Sequence, residues 1–361
     1  MADRRRSPRW AWIVLVTGLV LAVLAGGTAV GTRLLVDRWD RAVNKDVLLD
    51  PGARDPAISP EPSPSPEPSP SPEPGPSPEP ANERRGAALE GRRDAVRGPL
   101  TYLVIGTDQR TGSGGGRADA IIIVHLPADL REAYLISVPR DLLVPIPGHW
   151  EDKINAAYMF GGGGSGGAQL LSATLNDLTG IGFDGAAILD FGGFRKVVDE
   201  LGGVEVCLDR QIRSIHTDHV FPARCQQLTG KQALDLARQR YDLPAGDIDR
   251  GRVHQRLIRG MVDRIVDKGM LTDPLRLDRT IRAIGDALTV DTGGVPLPEL
   301  ALALRHVRPD RVTGITLPSY PQMIDGTSYV LADPAADGLY RAVRDSDLAA
   351  WADAHPDWHN D

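Results

Sequence analysis

Two aspartates and several arginines stand at the ends of short apolar runs, where a β-sheet would present them together. The first run ends in Gly106-Thr107-Asp108-Gln109-Arg110, the second opens with Arg117-Ala118-Asp119, and the third ends in Ser137-Val138-Pro139-Arg140-Asp141. If the first two runs pair antiparallel, Asp108 and Asp119 share one sheet end, and two carboxylates there suit a hard cation such as Mg2+. Farther along, Arg238-Gln239-Arg240 is followed by Asp242, Asp247, Asp249, Arg250 and Arg252. Arginine carries a planar fork of donors and a fixed charge, which matches phosphate oxygens better than lysine does. Arginines converging on a two-carboxylate cation site would handle a pyrophosphate. Taken singly, the same residues read as a solvated helix face with ion pairs, so the convergence carries the argument.

Other chemistries are poorly supported. His-Glu-x-x-His is absent, and His216-x-x-His219 offers two histidines in an expected loop, short of a zinc set. Gly163-Gly164-Ser165-Gly166-Gly167 satisfies Gly-x-Ser-x-Gly. It lies inside a glycine tract with no strand before it, so it reads as a flexible loop and not a nucleophile elbow. The tract also lacks the Lys-Ser/Thr that follows a phosphate-cradling loop. A net charge of −7 and the absence of a basic patch or helix-turn-helix disfavour nucleic-acid binding, and with it a transcriptional regulator.

The elements that must position these residues alternate in period. Leu100 to Gly106, Ala120 to Leu126 and Ala133 to Val138 are short Val, Ile and Leu-rich runs bounded by turn residues, and predict three strands. Continuous apolar stretches such as Ile121-Ile122-Ile123-Val124 suit strands covered on both faces. Helical spacing predicts helices over Gln169–Leu178, Phe194–Leu201, Lys231–Arg238 and Val253–Asp267, with buried strands at Ala186–Leu189 and Val204–Leu208 between them. The tail adds helices near Leu275–Leu288, Leu297–Val307 and Ala336–Asp345, and strands near Arg311–Leu317 and Ser328–Leu331. The fold class that follows is a layered α/β/α domain with a mixed central sheet, spanning 98–361 as one unit.

Ahead of it, Arg4, Arg5, Arg6 and Arg9 precede an uncharged stretch from Trp10 to Thr32, enough helix for roughly 35 Å, which crosses a bilayer. The positive-inside rule leaves residues 1–9 cytoplasmic, 10–32 as a single transmembrane helix, and the rest outside the cell membrane. Residues 33–97 read as an extracellular linker. Within it, Glu61, Glu67, Glu73 and Glu79 recur in a Ser-Pro-Glu-Pro repeat, and residues 58–80 as polyproline II would reach about 70 Å. Such a spacer would lift the domain off the membrane. Cys207 and Cys225 are the 2 cysteines of the chain. Both fall in the exported part, where thiols oxidise, so they are expected to form a disulfide closing a loop of about 17 residues.

Taken together, Leu103 to Arg110, Arg117-Ala118-Asp119, Ser137 to Asp141 and Lys153-Ile154-Asn155-Ala156-Ala157-Tyr158 resemble the core blocks of the LytR-CpsA-Psr family. So do Gly202-Gly203-Val204-Glu205-Val206 and the run from Ala233 through Arg238-x-Arg240 to Gly246-Asp247-x-x-Arg250. The resemblance implies a phosphotransferase that moves a glycopolymer from a polyprenyl-pyrophosphate lipid to a peptidoglycan hydroxyl, outside the membrane and with Mg2+ or, in its place, Mn2+. It implies metal binding by Asp108 and Asp119 and pyrophosphate binding by Arg117, Arg140, Arg238, Arg240 and Arg250. Arg110, Asp141, Lys153, Asn155, Asp247 and His254 are the further candidates for substrate contact, Asp141 and Asp247 among them for accepting a proton.

Two departures from the family pattern stand out. The usual Arg-Ser-Asp-Thr is here Arg117-Ala118-Asp119-Ala120, which removes two hydroxyls beside the implied metal. The Arg-Gln pair that often follows the last arginine is replaced by Val253-His254, then Gln255. They motivate an alternative reading, a non-catalytic cell-wall or lipid-phosphate binding protein of the same fold. Hydrolysis of the lipid pyrophosphate is the side reaction such a site admits. The polyprenyl tail needs an apolar groove, for which the apolar faces of 169–178 and 231–237 are candidates, although such faces are more often core.

Overall fold

A computed structural model describes residues 42–54, 96, 98–108, 116–239, 246–270 and 273–360. The expected membrane span at 10–32 lies outside these residues. No helix among the described residues is long and apolar enough to cross a membrane.

The described strands of the main sheet are β1 (Asn44–Lys45), β2 (Leu100–Thr107), β3 (Ala118–Leu126), β4 (Ala133–Val138), β7 (Gly185–Asp190), β12 (Leu288–Asp291), β13 (Val312–Thr316) and β16 (His359–Asn360). They form one mixed sheet in the order β1-β12-β7-β2-β3-β4-β13-β16. β2 and β3 are antiparallel neighbours, β3 and β4 likewise, while β7 runs parallel to β2 and β13 parallel to β4. Three strands expected from apolar runs therefore sit at the centre, where burial on both faces requires such runs.

Alternation sorts the core. Leu103, Ile105, Ile121, Ile123 and Ile136 face a cluster completed by α1 (Ile154–Phe160), α2 (Gly164–Thr179), α8 (Ala336–Arg344) and α9 (Leu348–Ala354). Leu100, Ile122, Leu126 and Leu135 face the opposite layer, where Ile258 and Val262 of α5 (Asp247–Asp267) and Leu300 of α7 (Leu297–Ala303) cover them. A third cluster joins α3 (Phe191–Glu200), β8 (Val204–Cys207), β11 (Cys225–Leu228) and α4 (Gly230–Ala237) to Val253 and Leu257 of α5. The remaining described elements are hairpins β5 (Leu143–Pro145) with β6 (Glu151–Lys153), β9 (Ile212–Arg213) with β10 (Val220–Phe221), and β14 (Ser319–Ile324) with β15 (Thr327–Ala332), plus helix α6 (Pro274–Ile284). The layered α/β/α class with a mixed sheet holds for the described chain.

Three details differ from the sequence reading. The glycine tract expected as a loop is the first turn of α2, beginning at Gly164. Glycine is needed there because the α1 and α2 backbones touch: a Cβ at Gly167 would lie 2.5 Å from the Tyr158 carbonyl oxygen, and one at Gly161 2.4 Å from that of Gly166. The faces offered as a lipid groove are core, since Leu171, Leu175, Ala233 and Leu236 have no exposed surface. The third concerns the stretch read as linker. Residues 42–54 are built into the domain: β1 pairs with β12, and Leu48, Leu49 and Ala53 are fully buried in the main core.

Candidate active site

Topology settles which chain ends meet. Because β3 is antiparallel to β2, its first residues lie beside the last residues of β2, with a bulge between Gly106 and Thr107. Asp108 follows the end of β2 and Asp119 opens β3, so both carboxylates share one sheet end. β4 runs back along β3, pairing Val138 with Ile121, and delivers Pro139-Arg140-Asp141 to the same edge. β7, parallel to β2, pairs Asp190 with Thr107, so Phe191 at the start of α3 arrives there as well.

At this edge lies a small pocket of about 20 Å3 lined by Asp119, Arg140, Arg250, His254, Ser137 and Thr316 among others, room for about one water. Asp119 and Arg140 form an ion pair in it, with side chains 18% and 14% exposed. Arg250, buried at 5% exposure, comes from the first turns of α5, whose amino end is the positive end of the helix dipole. α5 can approach this closely because residue 251 is glycine: a Cβ there would meet the Ser137 Cβ at 3.0 Å.

Around the pocket, the other residues singled out in the sequence take distinct places. Asp108 is exposed and accepts a hydrogen bond from the Arg117 backbone N–H at 3.0 Å, and the Arg117 side chain is exposed. Asp141 lies 3.3 Å from Lys153 Nζ and 3.8 Å from Arg140 Nε. Lys153 also lies over the Tyr329 ring, 5.4 Å from its centroid. Asn155 is buried and its backbone N–H donates to the Arg140 carbonyl at 3.1 Å, which fixes the turn carrying that arginine. Arg238 ends α4 exposed, its guanidinium 5.0 Å from the Phe191 ring centroid and so at the β2–β7 end of the edge. Asp249 and Arg252 pair with each other at 3.2 Å. Arg110, Arg240 and the Asp247 side chain lie outside the described residues.

His254 requires a correction as a phosphate donor. Its Nε2 is 2.9 Å from the Ala237 carbonyl, which can only accept, so that N–H is already committed. Burial, then the nearby Arg250 charge, push the ring pKa down to about 4, and at neutral pH it brings no cation. What it does is join α5 to the end of α4, next to Arg238. Gln255 is likewise structural: its Nε2 donates to the Leu135 and Ile315 carbonyls at 3.0 and 2.7 Å, stitching α5 across β4 and β13.

Sequence reasoning passed over several supporting residues. Gln239, fully buried, donates to Ser214 Oγ and to Asp235 at 3.1 and 3.0 Å, while Ser214 donates to Asp235 at 2.6 Å. This network seats the backbone between Arg238 and residue 240, and its signal was a neutral residue between two arginines. Tyr158 accepts from the Gly164 N–H at 2.9 Å and from the Thr107 hydroxyl, tying α1 to the strand end before Asp108. Ala118 is fully buried in the core, so a hydroxyl there would point into the packed layer, whereas Ala120 lines the pocket. Cys207 and Cys225 face each other across β8 and β11 and are disulfide-bonded.

Asp108 and Asp119 share this sheet end, each with a partner already in place: the Arg117 N–H for Asp108 and the Arg140 guanidinium for Asp119. No group of three or more His, Cys, Asp and Glu able to hold a metal alone occurs among the described residues.

The chain is similar to known proteins in sequence and in fold. The chain is 32% identical over 261 residues to the probable cell wall biosynthesis protein LcpB of Corynebacterium glutamicum, covering 67% of this chain and 60% of that protein. It is 29% identical to the cell wall biosynthesis protein LcpA of the same organism, covering 65% and 52%. Against the polyisoprenyl-teichoic acid–peptidoglycan teichoic acid transferase TagU of Enterococcus faecalis it is 28% identical, covering 65% and 75%. The chain thus spans little more than half the length of the two Corynebacterium relatives. In fold it is similar to Bacillus subtilis TagV, with TM-score 0.57 at 23% identity over 70% of this chain and 98% of that one. TagT bound to LIIa-WTA gives 0.56 at 23% identity, covering 70% and 92%. The LytR_cpsA_psr family model matches residues 78–342, and the chain belongs to the LytR_cpsA_psr family.

Proposed function

We propose that this protein is a cell-wall glycopolymer phosphotransferase, held in the cell membrane by residues 10–32 with its domain outside. Its donor is a polyprenyl-pyrophosphate-linked glycopolymer and its acceptor a peptidoglycan hydroxyl. The observation that carries the reading is the meeting of Asp119, Arg140 and Arg250 in one pocket, with Asp108 and Arg238 at the adjoining strand ends. Family membership and the names of the relatives support the class of substrate.

Phosphoryl transfer asks the protein chiefly to position and to neutralise charge. Arg140 and Arg250 would take the oxygens of the pyrophosphate, Arg140 through the guanidinium that now pairs with Asp119. Arg117 and Arg238, exposed at either side, would take those that project from the pocket. Asp108 and Asp119 would hold Mg2+, which when bound supplies Lewis-acid neutralisation of the pyrophosphate. The acceptor hydroxyl oxygen attacks the phosphorus that carries the glycopolymer. A P–O bond forms to the acceptor, the P–O bond to the bridging oxygen breaks, and polyprenyl phosphate leaves with the electron pair. The hydroxyl proton passes to a carboxylate, for which Asp141, 3.8 Å from Arg140 Nε, is one candidate and Asp247 the other. Water in place of the hydroxyl gives the hydrolytic side reaction.

The test supplies the full chain in lipid nanodiscs with polyprenyl-pyrophosphate sugar, peptidoglycan fragments and Mg2+, and looks by mass spectrometry for a phosphodiester-linked product. Neither product nor released polyprenyl phosphate under Mg2+ or Mn2+ would overturn the reading. A binding protein that retains the lipid without turnover is the second reading, favoured by the missing hydroxyl at Ala120, and the same experiment separates the two.

A further inference from the structure

Sequence order places the Ser-Pro-Glu-Pro repeat between the expected span and the domain, as a spacer in series. The described residues on either side of it do not fit that order. Before the repeat, Leu48 and Leu49 are fully buried in the main core, and their N–H groups donate to Asp291 Oδ2 at 3.0 and 3.4 Å. Arg54 pairs with the same carboxylate at 2.5 Å. The Asp50 N–H donates to Ser172 Oγ at 3.0 Å, and Gln169 donates to the Val47 carbonyl at 2.8 Å. Five side-chain contacts and a strand pairing hold this segment, so it is part of the domain.

The two ends of the repeat-bearing stretch then converge. The Phe183 N–H donates to the Ala53 carbonyl at 2.8 Å, and Arg54 bridges Phe183. The next residue, Asp184, donates its N–H to the Thr101 carbonyl at 2.8 Å and accepts the Thr101 N–H at 2.5 Å. Residues 54 and 101 therefore flank one dipeptide, two strand spacings or about 10 Å apart. Residues 55–100 have a contour of roughly 140 Å at about 3.1 Å per residue. That length begins and ends at one place.

We propose that residues 42–54 are a clasp that fastens the domain to its membrane side, so that the tether in series is residues 33–41 alone, and the repeat is an arm attached at both ends. This rests on the reading of 10–32 as a membrane span. The tether spans at most about 32 Å of extended chain, and deleting repeat units leaves it unchanged.

The experiment uses the full chain in phosphatidylglycerol/phosphatidylcholine vesicles, with a site-specific protease sequence replacing residues 66–72. After cleavage the carboxyl fragment is expected to float with the vesicles through a high-salt wash and to come free only in denaturant. Release on cleavage overturns the clasp. If the uncut chain does not float, the span reading fails; co-elution of the two cleaved fragments on gel filtration then supports the clasp and their separation overturns it. The variant Leu48→Asp/Leu49→Asp is expected to free the cut fragment at least 100-fold faster. Should that variant not fold, slow hydrogen exchange at the Leu48 and Leu49 amides of the native chain reads the same contact, and exchange at the rate of unstructured peptide overturns it. Transfer activity is not measured in any arm, so the outcome stands apart from that of the transferase reading.

Discussion

Replacing Arg140 with alanine separates a pyrophosphate ligand from a mere counter-ion. Arg140 and Asp119 are paired with side chains 14% and 18% exposed, so the interaction falls between an exposed pair worth up to about 1 kcal/mol and a buried pair whose breakage costs about 3–5 kcal/mol. We expect Arg140→Ala to lower stability by about 2 kcal/mol, or roughly 4–8 °C in Tm for a domain of this size. Removing one preorganised donor from a phosphoryl-transfer site should cut turnover by about 100- to 1,000-fold. The double change Arg140→Ala/Asp119→Ala removes both charges and should regain most of the Tm, because no carboxylate is left unpaired. It should regain no activity. Arg140→Lys, which keeps the charge but loses the fork, should recover stability and still run at least tenfold slow. Thermal unfolding followed by a lipid-phosphate release assay reads all four proteins. If Arg140→Ala loses its Tm yet turns over within threefold of the native chain, the arginine serves Asp119 alone and the pyrophosphate role is refuted.

Reducing the Cys207–Cys225 bond should cost about 3 kcal/mol on the chain-entropy model. Urea unfolding with and without reductant checks it, and an unmoved midpoint would refute that contribution. His125, buried on β3 opposite Thr101 of β2 with Nδ1 3.0 Å from Thr101 Oγ1, has its pKa lowered by burial to about 4. The unfolded chain takes up that proton near pH 6.5 and the folded chain does not, so stability should fall as pH drops from 6.5 to 4, by about 3 kcal/mol. His125→Gln should flatten that slope in unfolding titrations. Gly251→Val should push α5 off β4 at the 3.0 Å contact with Ser137, costing about 1–3 kcal/mol as overpacking. Turnover should fall further than that loss accounts for, since Arg250 moves with the helix; normal turnover would show that the site tolerates the shift.

The central strands were legible because burial on both faces demands unbroken apolar runs, and Ile121-Ile122-Ile123-Val124 admits little else. The pairing of Asp108 with Asp119 was legible conditionally, on an antiparallel hairpin that β2 and β3 form. What the residues alone could not reveal was the return of β4 beside β3, which places Arg140 against Asp119, because strand order is a property of the whole sheet. The glycine tract misled for a related reason. Glycine signals freedom in isolation, whereas here it permits two helix backbones to touch, a fact visible only when Tyr158 and Gly167 are placed together. His254 misled because a partner carbonyl seventeen residues away in sequence carries no local signal. The docked segment 42–54 was hidden by its position ahead of a proline-rich repeat, although Leu48-Leu49 is apolar enough to be buried.

The seam of bare backbone between α1 and α2 makes the pocket answerable to positions that never approach it. α1 begins at the residues whose amide grips the Arg140 carbonyl, and its far end rests on Gly167 with no side chain to yield. A methyl group at that far end would act as a wedge under a stiff beam, tilting the helix and swinging its near end, where the arginine's turn is fastened. Tolerance to mutation along this chain should therefore track mechanical linkage and not distance from the chemistry.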